Sequence, residues 1–289
     1  MSIWKPYLIL CRVYISLFAA SSSATGFFLF SYHRTFDVLV TAASVFLLAC
    51  GASALNQYQE RDVDAKMERT RRRPLPSGAV TQAQALFLAA ALLLSGQSLL
   101  FASGGAQASA LGLAALLWYN GVYTYLKRTT AFASLPGALV GIIPPAIGWV
   151  SAGGALTDGR LIAICCIFFL WQVPHFWLLI LDHGDEYERA GLPSLTRLMR
   201  KPQIARITYV WIVAATIASF ALPLYRSVRS PLVFWAFIPL GIWLIWSERS
   251  LTTKQSLLPS SSTLFRKINI YLFLLMSLLS VDNIVSHTL

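Results

Sequence analysis

Long uninterrupted apolar blocks constrain this chain more than any other feature of its sequence. The chain has 289 residues, of which 56% are hydrophobic and only 12% are charged. Because about 20 mostly apolar residues are needed to cross the hydrocarbon core of a bilayer, such blocks predict membrane spans. We expect nine of them, at residues 8–30, 37–57, 81–102, 106–126, 133–151, 160–181, 204–224, 231–247 and 267–286.

The predicted spans define the fold class. We expect an all-α fold, a polytopic bundle of about nine transmembrane helices around a central cavity, formed by residues 1–289 as a single domain. The first block is too long, and lacks a small-residue cleavage site, to be a removable signal peptide. The cysteines lie in apolar segments without CxxC spacing, so we interpret them as small core residues rather than disulfides or metal ligands.

The basic residues predict an orientation. With the N-terminus in the cytoplasm and the C-terminus outside, 19 of the 23 Lys and Arg residues lie on the cytoplasmic side. The outer side keeps only Arg34, Arg160, Arg226 and Arg229. This asymmetry follows the positive-inside rule. The net charge of +11 is therefore explained by topology and an anionic substrate, and we expect no nucleic-acid partner.

Acidic residues concentrate in two segments on the same predicted side, about 58–80 and 182–203. These segments hold eight of the twelve Asp and Glu residues. In the first, a spacing of four places Asn56, Glu60 and Asp64 on one helical face. Their oxygens suit Mg²⁺, which binds a few carboxylates together with waters and substrate phosphates. Asp62 points elsewhere if the helix continues.

The first segment also carries arginines. A magnesium ion would let the acids hold a diphosphate indirectly, while Arg69, Arg72 and Arg73 contact its oxygens through charge-assisted hydrogen bonds. A solvated juxtamembrane loop, with arginines serving topology, explains the acid spacing equally well. The full string decides between them, because it resembles the signature of the UbiA-type intramembrane prenyltransferases at Asn56, Glu60, Asp64, Met67, Arg69, Thr70, Arg73 and Gly78.

The second acidic segment follows the sixth span. Asp182 and Glu186 are four residues apart and Asp185 is adjacent, so they can form a second metal face. The preceding string Trp171-Gln-Val-Pro-His175-Phe-Trp177 resembles the protoheme farnesyltransferase (haem O synthase) branch of that superfamily. Further likeness lies in Tyr125–Thr129, Pro144–Trp149 and the last span, so it covers nearly the whole chain.

The resemblance implies a role for the intramembrane His175. By itself, a buried imidazole is most simply explained as a core residue bonded to a hydroxyl or carbonyl group. Ionisable groups in membranes are nevertheless costly and tend to face cavities. The resemblance implies that His175, together with Trp171, contacts the porphyrin acceptor or its iron. The chain departs from the branch pattern at Cys11–Tyr14, at His183-Gly184 and at Pro193–Thr196.

The activity implied is transfer of farnesyl from farnesyl diphosphate to a vinyl group of haem B, with Mg²⁺ as cofactor and haem B as substrate. Asn56, Glu60, Asp64, Asp182, Asp185 and Glu186 would hold the metal, and Arg69, Arg73, Lys127 and Arg128 would neutralise the diphosphate. A bacterial inner membrane and a haem A synthase-like partner are also expected. The alternatives are an aromatic acid or quinone precursor as acceptor, and a membrane transporter.

Span 5 contains many helix-breaking residues for a lipid-facing helix. Pro136, Gly137, Gly141, Pro144, Pro145 and Gly148 all lie in it. Irregular backbone is tolerated at membrane depth where it lines a protein cavity. Small residues also permit close helix packing. We expect both explanations to contribute.

Overall fold

The computed structural model describes residues 4–31, 35–225, 227–252 and 261–285. Arg34, Arg226 and residue 286 of the predicted last span lie outside these ranges. Every regular element in the described residues is helical. The α-helices are α1 (Lys5–Leu10), α2 (Val13–Phe30), α3 (Thr35–Asp64), α4 (Gln82–Leu116), α5 (Thr124–Leu126), α6 (Ser134–Gly137), α7 (Ile143–Ser151), α8 (Gly159–Arg189), α9 (Leu195–Leu198), α10 (Lys201–Ser219), α11 (Pro231–Glu248) and α12 (Ser261–Val285).

Eight helical stretches in these residues are long and apolar enough to cross a membrane. The longest, Gln82–Leu126, folds back on itself at Gly105, whose φ of 72° leaves the helical region. Gln97 Nε2 donates to the carbonyl and the hydroxyl of Ser109 at 2.7 and 2.6 Å. These residues would be about 18 Å apart in a straight helix. The hairpin therefore supplies two of the predicted spans, and the all-α membrane bundle is confirmed.

The first span begins later than the sequence predicts. Residues 8–30 were expected to be continuous, but the helix breaks at Arg12, between α1 and α2. Arg12 has a φ of 45°, the only positive φ outside glycine in the described residues. The break leaves Leu10 fully buried and places Arg12 at the N-terminal end of α2.

Helices α3 and α8 are longer than a membrane requires. They contain 30 and 31 residues, which corresponds to about 45 Å, whereas the hydrocarbon core is about 30 Å thick. Their C-terminal turns therefore extend beyond the apolar layer and carry the acidic residues. The acids at positions 60–64 and 182–188 thus lie on helical turns rather than in loops.

Span 5 is a broken helix, in which a 3-10 segment, Ala138–Ile142, separates α6 from α7. A Cβ atom at Gly148 would lie 1.7 Å from the carbonyl oxygen of Ser23, so close packing on α2 requires glycine there. At Gly141 a Cβ atom would lie 2.7 Å from the side chain of Gln172. The small residues therefore bring span 5 against both α2 and α8.

Candidate active site

The three oxygen-bearing residues of the first motif lie along the last turns of α3, as their spacing predicts. Asn56 is completely buried, Asp64 is 2% exposed, and the Glu60 side chain is 16% exposed. Asp62 lies on the opposite side, with 79% of its side chain exposed. The helical face therefore turns inward and leaves Asp62 in solvent.

The turn after α3 folds a cation back onto this face. The Thr70 hydroxyl donates to the Asp64 carbonyl at 2.9 Å, and Met67 is buried beneath the turn. This geometry brings the Arg73 guanidinium to both oxygens of Asp64, at 2.8 and 2.7 Å. Arg69 and Arg72 are exposed, and within the described part of the chain neither forms an ion pair.

Cations from the segment after α5 complete the pairing. Lys127 forms an ion pair with Glu60. Arg128 bonds to the Gln59 carbonyl at 2.7 Å and lies over the ring of Tyr125, so it touches α3 but not its acids. Of the four predicted diphosphate-binding cations, Arg73 and Lys127 therefore reach the acidic face.

A π-helix at Leu117–Tyr123 supports the acidic face. Such wide turns are rare and are frequently found at functional sites. The Asn56 amide donates to Thr124 Oγ1 at 2.9 Å. The Asn120 amide donates to Gln59 Oε1 at 3.0 Å, and the Gln59 amide donates to the main-chain carbonyl of Asn120 at 3.1 Å. Periodicity in the sequence gives no signal for a π-helix, so these contacts were not predicted.

Arg12 also lies within electrostatic range of Glu60 and Asp64, although it was not among the predicted site residues. Its guanidinium donates to the Tyr119 hydroxyl at 3.3 Å. Burial disfavours its charge, but Tyr119, Glu60 and Asp64 outweigh burial and raise the pKa of Arg12. Burial and the nearby Arg12 charge together lower the pKa of Arg73. The sequence did contain a signal for Arg12, because it is a charged residue within the apolar block at residues 8–30.

The second acidic segment turns only part of its charge inward. Asp182 is exposed, and Asp185 bonds to Lys201 at 3.0 Å with 67% of its side chain exposed. Glu186 is half-buried, and its Oε2 atom is buried without a hydrogen-bond partner among the described residues. Tyr187 lies within electrostatic range of Arg12, which connects this end of α8 to the first motif.

The oxygen donors fit a magnesium ion in part. In residues 4–31, 35–225, 227–252 and 261–285, no three His, Cys, Asp or Glu side chains are grouped as metal ligands. Buried polar atoms normally find a partner. Asn56 Oδ1 and Glu186 Oε2 have none in these ranges, and Glu60 and Asp64 supply carboxylates on the same face of α3 as Asn56. Such oxygen donors are those that Mg²⁺ prefers.

Two of the departures from the branch pattern pack against each other. A Cβ atom at Gly184 would lie 2.6 Å from the Thr196 side chain, so the glycine makes room for the threonine. The Thr196 hydroxyl donates in turn to Glu188. These substitutions therefore form one local arrangement, separate from the ion pairs of Glu60 and Asp64.

His175 and Trp171 lie side by side on α8 and both contact α12. The Trp171 indole donates to the Ile268 carbonyl at 2.9 Å, and His175 Nδ1 lies 3.0 Å from Asn269 Oδ1. The imidazole ring contacts the rings of Trp171 and Phe265, at centroid distances of 4.7 and 4.4 Å. The structure thus places both predicted acceptor residues in an aromatic enclosure.

A row of aromatic rings connects this enclosure with the acidic face. The Phe176 ring lies 5.8 Å from His175 and 5.8 Å from Tyr123. Lys127, the partner of Glu60, lies 4.9 Å from the centre of the Tyr123 ring. Gly137 permits this, since a Cβ atom there would lie 2.4 Å from Tyr123. We call the rings of His175, Phe176 and Tyr123, together with the Lys127 ammonium group at their end, the aromatic row.

Comparison with known proteins is consistent with this geometry. The model of the UbiA prenyltransferase family matches residues 13–273. The chain is 40% identical to protoheme IX farnesyltransferase of Geobacter sulfurreducens over 252 residues, covering 87% of this chain and 93% of that one. It is 35% identical to the protein of the same name from Oleidesulfovibrio alaskensis over 277 residues, covering 96% of each.

Solved structures share the fold at lower identity. A structure of digeranylgeranylglyceryl phosphate synthase is similar with a TM-score of 0.75 and 19% identity, over 98% of this chain and 99% of that one. A UbiA homolog from Archaeoglobus fulgidus, bound to GPP and Mg²⁺, is similar with a TM-score of 0.71 and 14% identity. That alignment covers 97% of this chain and 99% of the homolog.

Proposed function

Because this chain belongs to the UbiA prenyltransferase family, we propose that it transfers a farnesyl group from farnesyl diphosphate to a vinyl group of haem B, giving haem O. The relatives named protoheme IX farnesyltransferase support this acceptor, since they match most of the chain at 31–40% identity. The product is the hydroxyethylfarnesyl derivative of haem.

The observation that carries the proposal is the aromatic row. It connects His175, the proposed acceptor contact, with the Lys127–Glu60 pair at the proposed diphosphate site. A farnesyl chain needs an apolar wall, and the allylic cation formed from it is stabilised by aromatic faces through cation–π attraction. The aromatic row offers an apolar wall and aromatic faces between the proposed acceptor contact and the proposed diphosphate site.

We assign diphosphate binding to the cations at the end of α3 and around it. Arg73 and Lys127 lie at the acids, and Arg12 lies within electrostatic range of Glu60 and Asp64. As the allylic carbon–oxygen bond breaks, its electron pair leaves with the diphosphate and negative charge increases there. Cations fixed at that position therefore stabilise the transition state more than the ground state.

We propose that Mg²⁺ is held by Asn56, Glu60, Asp64 and Glu186. These residues supply three carboxylates and one amide, and two of their buried oxygens, Asn56 Oδ1 and Glu186 Oε2, have no hydrogen-bond partner among the described residues. When bound, the metal would neutralise diphosphate charge and so assist the leaving group. We do not include Asp182 and Asp185 among the proposed metal ligands, because their side chains are exposed on α8.

The remaining steps need no covalent enzyme intermediate. The vinyl π electrons of haem B form the new carbon–carbon bond with the allylic carbon. Water then adds to the resulting cation and loses a proton, which gives the hydroxyl group of the product. One haem B, one farnesyl diphosphate and one water thus give haem O, diphosphate and a proton.

The wider setting follows from the same proposal. We place the chain, as a single domain of residues 1–289, in a bacterial inner membrane with its N-terminus in the cytoplasm. The distribution of Lys and Arg supports that orientation. The diphosphate site then faces the cytoplasm, and a haem A synthase-like enzyme is the expected partner that consumes haem O.

The test is a stoichiometric assay with purified protein. The protein in lipid nanodiscs is incubated with haem B, farnesyl diphosphate and Mg²⁺, and haem O and diphosphate are measured together. We expect equal amounts of both products, and loss of both when Mg²⁺ is chelated. Release of diphosphate without any prenylated haem would refute haem B as the acceptor.

A further inference from the structure

His175 and Asn269 form a hydrogen-bonded pair between α8 and α12. The Nδ1 atom of His175 lies 3.0 Å from the Oδ1 atom of Asn269. The neighbouring bond from the Trp171 indole to the Ile268 carbonyl, at 2.9 Å, holds the two helices together at this level. The pair therefore lies in a fixed part of the bundle rather than at a loose end.

The orientation of the Asn269 amide follows from its second partner. Its Nδ2 atom donates to the carbonyl oxygen of Phe265 at 2.7 Å. A carbonyl oxygen only accepts hydrogen bonds, so the reversed amide would bring two acceptors together. The amide oxygen must therefore face His175.

This orientation decides the protonation of the imidazole. An amide oxygen cannot donate, so His175 Nδ1 must carry the proton in their hydrogen bond. In the neutral ring the lone pair then lies on Nε2. Nε2 has no hydrogen-bond partner in the described ranges of the chain, and the rings of Trp171 and Phe265 hold the imidazole plane.

We propose that Asn269 is a positioning residue that fixes the Nδ1–H tautomer of His175 and so presents the Nε2 lone pair to the haem iron. The proposal rests on the proposed function, because it takes haem as the ligand of the aromatic enclosure. Histidines that bind metals through one ring nitrogen commonly donate the other N–H to a neighbouring oxygen acceptor. Asn269 supplies that acceptor.

Haem binding tests the proposal. Haem B is titrated into the purified protein, and affinity is followed with the iron–histidine stretching band of the ferrous complex. We expect Asn269→Leu to weaken haem binding about 10- to 100-fold and to shift that band.

The matched control is Asn283→Leu. Asn283 lies on the same helix and donates to the carbonyl four residues earlier at 3.1 Å, as Asn269 does, but it contacts Ser227 instead of His175. This control should bind haem like the wild type. An Asn269→Leu protein with wild-type affinity and an unshifted band would overturn the proposal.

The tautomer can also be measured directly, which keeps the proposal testable if Asn269→Leu does not fold. Nitrogen-15 NMR of histidine-labelled wild-type protein, with His175→Gln for assignment, distinguishes a protonated from an unprotonated ring nitrogen. We expect Nδ1–H and an unprotonated Nε2, and the opposite pattern would overturn the proposal.

A second comparison separates this proposal from the proposed function. If haem O forms but the iron–histidine stretching band does not respond to His175→Gln, the positioning role is refuted and the proposed function stands. If the band depends on His175 but no haem O forms, the proposed function is refuted and the positioning role stands.

Discussion

The guanidinium of Arg73 donates hydrogen bonds to both carboxylate oxygens of Asp64, at 2.8 and 2.7 Å. Glu60 is paired similarly with Lys127. The cations assigned to the diphosphate thus neutralise the acids assigned to the metal. We therefore expect magnesium and diphosphate to bind together, the metal taking the carboxylates while the diphosphate takes the cations.

Asp64→Asn should lower the rate of haem O formation about 10²- to 10³-fold, because it removes a carboxylate from the proposed Mg²⁺ site, and the metal would stabilise the leaving diphosphate. Asp64 is buried, so the variant is also expected to lose thermal stability, and its folding is checked by the thermal unfolding temperature. Asp62→Asn is the matched control, since that side chain is 79% exposed two residues away. Equal activity of the two variants would contradict the assignment.

Arg73→Gln should raise the KM for farnesyl diphosphate about 10- to 100-fold, since a hydrogen bond to a charged group contributes about 1.5–3 kcal/mol. Arg72→Gln removes the same charge from the adjacent, exposed position and should leave KM almost unchanged. Steady-state kinetics at saturating haem B measure both values. If both substitutions raise KM equally, only the general charge of the segment matters.

Arg12→Gly separates charge from folding at the break before α2. A φ of 45° costs a residue with a side chain about 1–2 kcal/mol relative to glycine, so the variant should be at least as thermally stable as Arg12→Gln. Both variants should bind farnesyl diphosphate at least about tenfold more weakly, because each loses one charge-assisted hydrogen bond to the diphosphate. Calorimetric binding and thermal unfolding measure the two effects. Unchanged binding in both would remove Arg12 from the site.

Asn56→Ala should raise the Mg²⁺ concentration needed for half-maximal activity about tenfold, because its Oδ1 atom is a proposed metal ligand. Asn56 also donates to Thr124, so Thr124→Val is the matched control. It removes that hydrogen bond but keeps Oδ1, and its Mg²⁺ dependence should remain that of the wild type. A shift of equal size in Thr124→Val would indicate a purely structural role for Asn56.

Phe176→Leu should lower kcat about 2- to 30-fold with little change in KM for farnesyl diphosphate, since cation–π stabilisation is worth about 0.5–2 kcal/mol. Phe169→Leu makes the same substitution on the same helix, where the ring faces Trp211 at 6.3 Å instead of the aromatic row. It should retain kcat. An equal loss in the control would mean that packing of α8, and not the aromatic row, determines the rate.

Much of the fold could be predicted from the sequence because the apolar blocks are longer than any soluble core requires. Spacing of four correctly placed Asn56, Glu60 and Asp64 on one face, since helical periodicity alone decides it. The break at Arg12 and the π-helix could not be predicted in this way. Both features are accompanied by tertiary contacts, of Arg12 with Tyr119 and of Asn56 with Thr124, which residue spacing does not encode.

The second acidic segment shows a different limit. A spacing of four places Asp182 and Glu186 near each other on one side of a helix. The rotation of α8 about its axis, which spacing does not give, decides which of the two carboxylates is buried. Gly184 packs closely on Thr196 on this part of α8, where Asp182 is exposed and Glu186 is half-buried. Such contacts between segments are invisible to residue spacing.

The choice of acceptor is the central claim, and a competition assay tests it most directly. The wild-type protein receives farnesyl diphosphate, Mg²⁺ and equal concentrations of haem B and 4-hydroxybenzoate, and the prenylated products are separated by mass. We predict that haem O accumulates and that prenylated hydroxybenzoate does not form. Prenylated hydroxybenzoate with haem B unchanged would contradict the account.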